Sequence, residues 1–153
     1  MKTRESMSRL TDHLGYWMRM VSNHVSLAFA RRLEGKDVTV AEWVMMRDLQ
    51  DAGPLAPNRL AERMGMTRGA ISKLADRLVA KGLVTRRDDP SDGRAQSLEL
   101  SETGSLLLPE LARLADENDA AAFDCLTPEE RAQLDRLLKK IAGAHGLKNS
   151  PTA

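Results

Sequence analysis

The sequence contains a single cysteine, Cys125, and no long apolar run. One cysteine cannot form an internal disulfide, which fits the reducing conditions of the cytoplasm. No stretch approaches the ~18 consecutive apolar residues of a membrane span, and the polar segment 1–10 does not resemble a secretory signal. We therefore expect a cytoplasmic protein with no membrane partner, and its 153 residues are enough for about one domain with a real core.

The residue patterns of metal sites and of catalysis are also missing. The three histidines, His13, His24 and His145, are far apart in the sequence, and no His/Cys cluster has the spacing of metal ligands. There is no phosphate loop, no glycine-rich cofactor motif and no nucleophile placed with a base. The sequence therefore predicts no metal, no cofactor and no enzymatic activity.

Charge is low overall but unevenly distributed. The net charge of +1 says nothing about nucleic acid. Residues 56–96, however, contain nine Lys and Arg against five Asp and Glu, whereas residues 97–153 contain six against ten. A local basic excess of this kind is typical of a DNA-binding region. The alternative is an ordinary solvated face, which a run of charges by itself usually is.

The middle of the chain carries the most informative pattern. Two short helical patterns are joined by a tight turn at Gly65, and two β-type segments around a charged loop follow directly. The helical patterns cover 60–66 and 67–78, the β-type segments cover 83–87 and 96–100, and the loop covers 88–94. A helix-turn-helix followed by a hairpin with a basic tip can hold one helix in a DNA groove while the tip reaches the next groove.

The segments before this pattern are helical. Apolar residues spaced by three and four predict an amphipathic helix over 8–33, and a second helix is expected over 40–51 with Thr39 as its N-cap. The apolar stripe of the first helix consists of Leu10, Leu14, Trp17, Val21, Val25 and Phe29, and the core candidates of the second are Trp43, Val44 and Leu49.

The segments after it are helical as well. Ser101 is expected to cap a helix that runs to about 123 and is interrupted or bent near Pro109. Thr127 and Pro128 occupy the N-cap and first helical positions of a last helix, and Glu130 closes its capping box.

The length of the first helix predicts a dimer. A helix over 8–33 would be roughly 40 Å long at ~1.5 Å per residue, so the central module alone cannot cover its apolar stripe. The simplest solution is that the terminal helices of two chains pack together symmetrically, and the alternative is a monomer that folds these helices back on each other. We expect a helical dimerisation region over 1–36 and 101–147, a winged helix-turn-helix DNA-binding domain over 37–100, and a loose tail over 148–153.

These motifs, in this order and at these distances, resemble the MarR family of bacterial winged-helix regulators. The resemblance covers about 10–141. It rests on the run 60–68, on Ile71-Ser72-Lys73-Leu74, Asp76-Arg77-Leu78 and Gly82-Leu83-Val84, on Asp92-Gly93-Arg94 in the loop, and on the helix starts at 100–104 and 126–130. It implies a mainly α protein with a small β-hairpin wing, in which two winged helix-turn-helix lobes stand on a shared helical dimerisation base and bind a palindromic operator.

The resemblance also implies which residues meet DNA. A recognition helix over 67–81 would enter the major groove, with Arg68 or Lys73 at guanine edges and Arg77 on the backbone. In the wing, Arg94 would enter the minor groove, held by Asp92. The full expected set is Thr67, Arg68, Ser72, Lys73, Arg77, Arg86, Arg87, Asp92 and Arg94. Two alternatives stay open: Asp76 and Arg77 could form structural polar contacts only, and the loop could be a disordered charged segment.

An effector site and a thiol switch are the remaining possibilities. His13 and Trp17 are four residues apart and could line a small-molecule pocket together with Met20 and His24, although core or interface packing explains a Trp and a His at this spacing as well. The methionines suit adaptable packing, in a core or around a malleable pocket. Cys125 precedes the last helix, where a buried structural thiol is the alternative to a redox sensor.

Three functional hypotheses follow. The leading one is a DNA-binding transcriptional regulator, a repressor released by a small-molecule effector. The second is a thiol-based sensor with the same fold, and the third is a winged-helix module that binds protein instead of DNA.

Overall fold

The computed structural model describes residues 6–88 and 96–152. In these ranges the chain is mainly α-helical with one antiparallel β-hairpin, which confirms the expected fold class. After a short 3-10 turn at Leu10–Asp12, the elements are α1 (Leu14–Glu34), α2 (Val40–Ala52), α3 (Pro57–Met64), α4 (Arg68–Ala80), β1 (Val84–Asp88), β2 (Gln96–Leu100), α5 (Glu102–Phe123) and α6 (Pro128–Ala144).

Short polar side chains define where four of the helices begin. The hydroxyl oxygens of Thr39, Thr67, Ser101 and Thr127 each accept a hydrogen bond from the backbone N–H three residues on. Each bond satisfies one of the donors that the first helical turn leaves without a partner. Helix α6 has the full capping box, since Glu130 accepts in return from the Thr127 N–H at 3.0 Å. The predicted N-caps Thr39, Ser101 and Thr127 are therefore confirmed, and Thr67 is a further one.

The first helix is shorter than the expected 8–33. It begins at Leu14, because His13 is extended (φ −94°, ψ 127°) and separates it from the 3-10 turn. Side chains take up the carbonyls of that turn: His13 Nδ1 lies 3.0 Å from the Arg9 oxygen, and Trp17 Nε1 donates to the Thr11 oxygen at 2.9 Å. Such local bonds compete with helix formation. At 21 residues, α1 is still about 30 Å long.

The expected interruption of α5 at Pro109 does not occur. The helix continues from Glu102 to Phe123 with Pro109 inside it. A proline removes the bond to the carbonyl four residues earlier, here that of Ser105. Ser105 and Pro109 are both exposed, so water can donate a hydrogen bond to the Ser105 oxygen. This bond offsets much of the free-energy cost of leaving that carbonyl without its helical partner.

The core lies where α2, α3, α4 and the hairpin meet the inner ends of α1 and α5. Leu33, Met45, Met46, Leu60, Ile71, Leu78 and Leu111 are completely buried there, and Leu49, Met64, Leu74, Val84, Leu98 and Leu108 nearly so. The expectation that Ile71, Leu74 and Leu78 belong to the core is confirmed. The core interpretation of the methionines holds for Met45, Met46 and Met64, but Met18 and Met20 are exposed on α1.

The hairpin is fastened to this core at its base. Val84 pairs with Leu100 and Asp88 with Gln96, and Leu55 adds a bridge to Leu98 through bonds of 3.0 and 2.8 Å. Helix α5 approaches closely at Gly104, where a Cβ atom would lie 2.1 Å from the Leu83 oxygen. The base of the wing therefore has a fixed position relative to α4 and α5.

The outer helices leave apolar surface uncovered. Leu14, Trp17 and Val21 of α1 are 87%, 48% and 48% exposed, and Leu137, Leu138 and Ile141 of α6 are 45%, 42% and 45% exposed. Helix α6 has no buried residue in the structure as described. Within 6–88 and 96–152, no helix is long and apolar enough to cross a membrane.

Candidate DNA-binding surface

Helix α4 presents one buried and one exposed face. The turn before it depends on Gly65, whose φ of 61° and ψ of 35° are left-handed, a conformation that costs glycine least. Ile71, Leu74, Ala75 and Leu78 anchor the buried face in the core. The exposed face carries Arg68, Gly69, Ser72, Lys73, Asp76 and Arg77, which we call the α4 stripe. Helical spacing places these residues side by side along about two and a half turns.

Three cations of the α4 stripe are available to a partner. Among the described residues, no carboxylate lies within 4.0 Å of Arg68, Lys73 or Arg77. The Thr67 oxygen accepts from the Ala70 N–H at 3.2 Å, which leaves the hydroxyl hydrogen free to donate. The N-terminal end of α4 therefore offers both positive charge and donors, as an anion such as a DNA phosphate requires.

The two arginines of β1 have carboxylate partners within the chain, whereas those of α4 have none among the described residues. Arg86 Nη2 forms an ion pair with Asp76 Oδ1 of α4, and Arg87 Nη1 lies 3.6 Å from Glu99 Oε2 on the paired strand. The first pair braces the wing against α4. Asp76 thus has a structural partner, as the alternative interpretation allowed. The wing-tip residues Asp92 and Arg94 lie outside the described residues.

An ion pair to a buried carboxylate, which the sequence analysis missed, fixes the other end of α4. Lys81, the C-cap residue, places its Nζ 2.9 Å from Glu42 Oε2 and 2.6 Å from the Asp37 carbonyl oxygen. Glu42 is completely buried and also closes the capping box of α2 with Thr39. Because 39 residues separate Glu42 from Lys81, no periodicity indicates this contact.

A cavity of about 400 Å³ lies between α1, α2 and α5. Its apolar wall includes Phe29 and Trp43, whose rings meet edge to face at 6.1 Å. Trp43 and Val44, expected in the core, are half-buried and line this space, whereas Leu49 is buried as expected. The polar lining comes from Ser26, Arg47, Asp48, Asp51, Asn118 and Asp119, and Ser150 and Pro151 of the C-terminal tail also line the cavity.

The four residues expected to bind an effector lie elsewhere. His13 and Met20 line an open depression on the outer side of α1, and Trp17 and His24 line neither this depression nor the cavity. Trp17 instead packs edge to face against Tyr16. Within the single chain, these four residues therefore do not line one common cavity.

Among the described residues, Cys125 and the ionisable side chains form no arrangement typical of a redox or metal site. The alternative of a buried structural thiol is wrong, since Cys125 is exposed in the link between α5 and α6. In the described part of the chain, no group of three His, Cys, Asp or Glu side chains could hold a metal ion. The pKa of Glu110 is lowered by a hydrogen bond from Lys36 and by the charge of that lysine, in a surface contact between α5 and the turn after α1.

Known proteins share both the sequence pattern and the fold. Residues 36–95 match the model of the MarR family. The chain is 30% identical over 140 residues to the HTH-type transcriptional repressor MdtR of Bacillus subtilis, which covers 92% of this chain and 90% of the relative. It is 28% identical over 129 residues to the multiple antibiotic resistance protein MarR of Escherichia coli, covering 84% of this chain and 90% of that one.

A solved structure adds a DNA complex to this likeness. A mutant MarR from E. coli, complexed with operator DNA, superposes with a TM-score of 0.76 at 25% identity and covers 88% of this chain and 99% of that one. The matches follow nearly the full length of both chains, and the winged lobe and the long helices correspond together. On these grounds the chain belongs to the MarR family of winged-helix transcriptional regulators.

Proposed function

We propose that this chain is a cytoplasmic, ligand-responsive repressor that binds a palindromic operator as a homodimer. The observation that carries the proposal is the α4 stripe, in which three cations with no carboxylate partner among the described residues lie on one exposed face of a helix-turn-helix. The relative in complex with operator DNA supports the same use of this lobe. The neighbouring Arg86 and Arg87 of β1 are already paired, whereas the α4 cations have no carboxylate within 4.0 Å among the described residues.

The residues of the DNA surface have different roles in this proposal. Arg68 and Lys73 reach base edges in the major groove, where a good contact is worth about 1–3 kcal/mol of discrimination. Thr67, Ser72 and Arg77 contact the phosphates beside them and hold the helix in register. Arg94 enters the minor groove with Asp92 beside it. Arg86 and Arg87 lie near phosphates through their remaining donors, while their ion pairs orient the wing.

The uncovered apolar surface supports the homodimer. A helix of 17 residues without one buried residue has little to stabilise it alone, since most helical stability in proteins comes from packing of the apolar face. The exposed leucines and isoleucine of α6 match the exposed apolar side of α1, and two copies related by a twofold axis would cover both. A twofold protein reads a twofold DNA site, with half-sites about one helical turn or a multiple apart.

The cavity beside Trp43 is the effector site in this proposal, in place of the set His13, Trp17, Met20 and His24. About 400 Å³ is enough for a small aromatic molecule. Phe29 and Trp43 offer ring faces, and the polar side chains at the rim can orient one end of a ligand. The cavity lies between α1 and α5 on one side and α2 on the other, so a ligand that wedges there would shift the winged lobe relative to the base.

Binding titrations test the DNA proposal. We would select duplexes from a random pool, look for an inverted repeat, and titrate this operator and a scrambled duplex at two salt concentrations. Lys73→Ala or Arg68→Ala should cost about 1–3 kcal/mol on the operator and less on the scrambled duplex. Arg94→Ala should weaken both duplexes alike and flatten the salt slope by about one unit per lost contact. Lys140→Ala, an exposed lysine of α6, is the control.

The outcomes separate the parts of the proposal. If neither Arg68 nor Lys73 affects discrimination, α4 is not the recognition helix. If Arg94→Ala changes nothing, the wing does not contact DNA. A folded protein that binds no duplex at low salt would favour the protein-interaction alternative instead.

Fluorescence tests the effector site. Trp17 and Trp43 are the two tryptophans of the chain, so Trp17→Phe leaves Trp43 as the only reporter. In this variant a panel of small aromatic acids, phenols and amines should change the emission at concentrations that also release the operator. If the Trp43 emission does not change with any compound that releases the operator, this cavity is not the effector site.

A further inference from the structure

Most glycines near the DNA-binding lobe are required by the fold itself. Gly65 and Gly82 have φ of 61° and 73°, where a side chain would be strained. Gly104 lies so close to the Leu83 carbonyl that a Cβ atom has no room. At each of these positions, the backbone conformation or a close neighbour within the chain explains why glycine is present.

Gly69 has neither reason. It is the second residue of α4, its φ is not in the positive range, and, apart from its chain neighbours and the nearby backbone of α4 itself, no described atom lies within 4 Å of where a Cβ atom would be. Glycine inside a helix lowers stability relative to alanine, because it loses more backbone freedom on folding. Alanine would thus fit this position and stabilise the free protein, so the isolated fold does not account for the glycine.

The position of Gly69 on the helix indicates why glycine stands there. It is exposed, and it precedes Ser72 by three residues and Lys73 by four, so it lies on the same face as both. Arg68 is its direct neighbour. Gly69 is therefore the one position of the α4 stripe without a side chain, and its neighbours on this face are the residues to which the proposed function assigns DNA contacts.

We propose that Gly69 is a positioning residue that lets the first turn of α4 lie directly against the duplex. Without a Cβ atom, the helix backbone at this point comes into van der Waals contact with the DNA, which brings Arg68 and Lys73 within reach of the base edges. A methyl group here would hold α4 away from the groove, and short hydrogen bonds to bases would be lost first. This inference rests on the proposed function, since it requires α4 to be the recognition helix.

The test is a pair of glycine-to-alanine variants in the full chain. Gly69→Ala should raise the melting temperature by about 2–4 °C and weaken operator binding at least about tenfold. Binding to a scrambled duplex, where the helix is less deeply seated, should change less. Gly35→Ala is the matched control, because Gly35 is also exposed and helical (φ −62°) and a Cβ atom there makes only an ordinary 3.7 Å contact. It should leave both affinities unchanged.

Each result decides the inference. A stabilised Gly69→Ala protein with reduced operator affinity supports it, and Gly69→Leu should then reduce that affinity further. If Gly69→Ala binds the operator as tightly as the wild type while Lys73→Ala loses discrimination, Gly69 does not set the approach and the recognition helix stands. If Gly69→Ala, Arg68→Ala and Lys73→Ala all bind as the wild type does, both the inference and the recognition helix are wrong.

Discussion

The winged lobe and the outer helices differ in how their apolar residues are covered. In the lobe, Leu60, Ile71 and Leu78 are completely buried among side chains of the same chain. In α6, Leu137, Leu138 and Ile141 are more than 40% exposed, and the outer half of α1 is similar. The lobe is thus closed by intramolecular contacts, whereas the outer helices expose a contiguous apolar face of the kind that marks an interaction surface.

The two regions correspond to two tasks of a DNA-binding regulator, which are to present the DNA-binding elements and to set the distance between two lobes. The lobe must present α4 and the wing at a fixed angle, so its core, the Glu42–Lys81 pair and the Arg86–Asp76 pair all act on α4. The outer helices set where a second lobe would stand, which decides the spacing of the half-sites in the proposed dimer. Substitutions in the two regions should therefore have separable effects.

The largest effect is expected for charges on the uncovered face of α6. Leu137→Glu combined with Ile141→Glu should convert a dimer at micromolar concentration into a monomer, because a carboxylate cannot be buried unpaired at an apolar interface. Operator affinity should fall about 100-fold or more, since one lobe alone loses half of the contacts. Sedimentation measures the mass, and circular dichroism should show a folded lobe.

Lys139→Gln is the control for this pair of charges. Lys139 lies on the same helix, is exposed, and pairs only with Asp135. Its replacement should leave the dimer intact. A double mutant that remains dimeric would show that α6 is not part of the interface.

The next effect concerns the core of the lobe. Ile71→Ala removes a completely buried side chain behind the α4 stripe and should lower the free energy of unfolding by about 2–5 kcal/mol. Urea denaturation measures this loss, and Ser72→Ala on the exposed face should change it by no more than about 0.5 kcal/mol. Equal effects of the two substitutions would contradict the burial pattern of α4.

A smaller effect is expected for a surface ion pair between the turn after α1 and α5. Lys36 Nζ lies 2.9 Å from Glu110 Oε2, and this hydrogen bond lowers the pKa of Glu110 below its ordinary value. The contribution to stability is therefore present above the unfolded-state pKa and is lost as the pH falls through the lower folded-state pKa. Lys36→Met should raise the pKa of Glu110, measured by NMR titration of the carboxyl carbon. Lys139→Met should not, and an unchanged pKa in Lys36→Met would exclude this cause.

The smallest effect is expected at Cys125. Cys125→Ser should leave DNA binding, and the response of DNA binding to peroxide, unchanged, because the thiol lies between α5 and α6 and away from the α4 stripe. Operator titration with and without peroxide measures this. Release of the wild type but not of the mutant by peroxide would establish the thiol-sensor alternative.

Local signals account for the elements that the sequence predicted well. Thr127, Pro128 and Glu130 determine the start of α6 by contacts within four residues, and the alternation of buried and exposed residues in α4 is a property of one helix. The start of α1 was misplaced for a related reason. Its apolar spacing extends back to residue 10. The side chains of His13 and Trp17, however, bond to carbonyl groups in and before the 3-10 turn, and the helix begins only at Leu14.

Contacts between distant residues account for what the sequence did not predict. No pattern in the sequence indicated the cavity between the helices, since its lining needs Phe29, Trp43 and Asn118 from three helices. Arg86 was expected among the DNA contacts, and its ion pair with Asp76, which the sequence did not predict, depends on the angle between the wing and α4.

The sequence by itself determined the helix boundaries set by caps, the helix-turn-helix, the wing and the family, because these follow from interactions among near neighbours and from an ordered set of motifs. The tertiary structure alone decided which cations are free, which carboxylates hold α4, where a cavity opens and which apolar faces stay uncovered. Those properties arise from packing between helices far apart in the chain, and their geometry is not encoded in the spacing of any single segment.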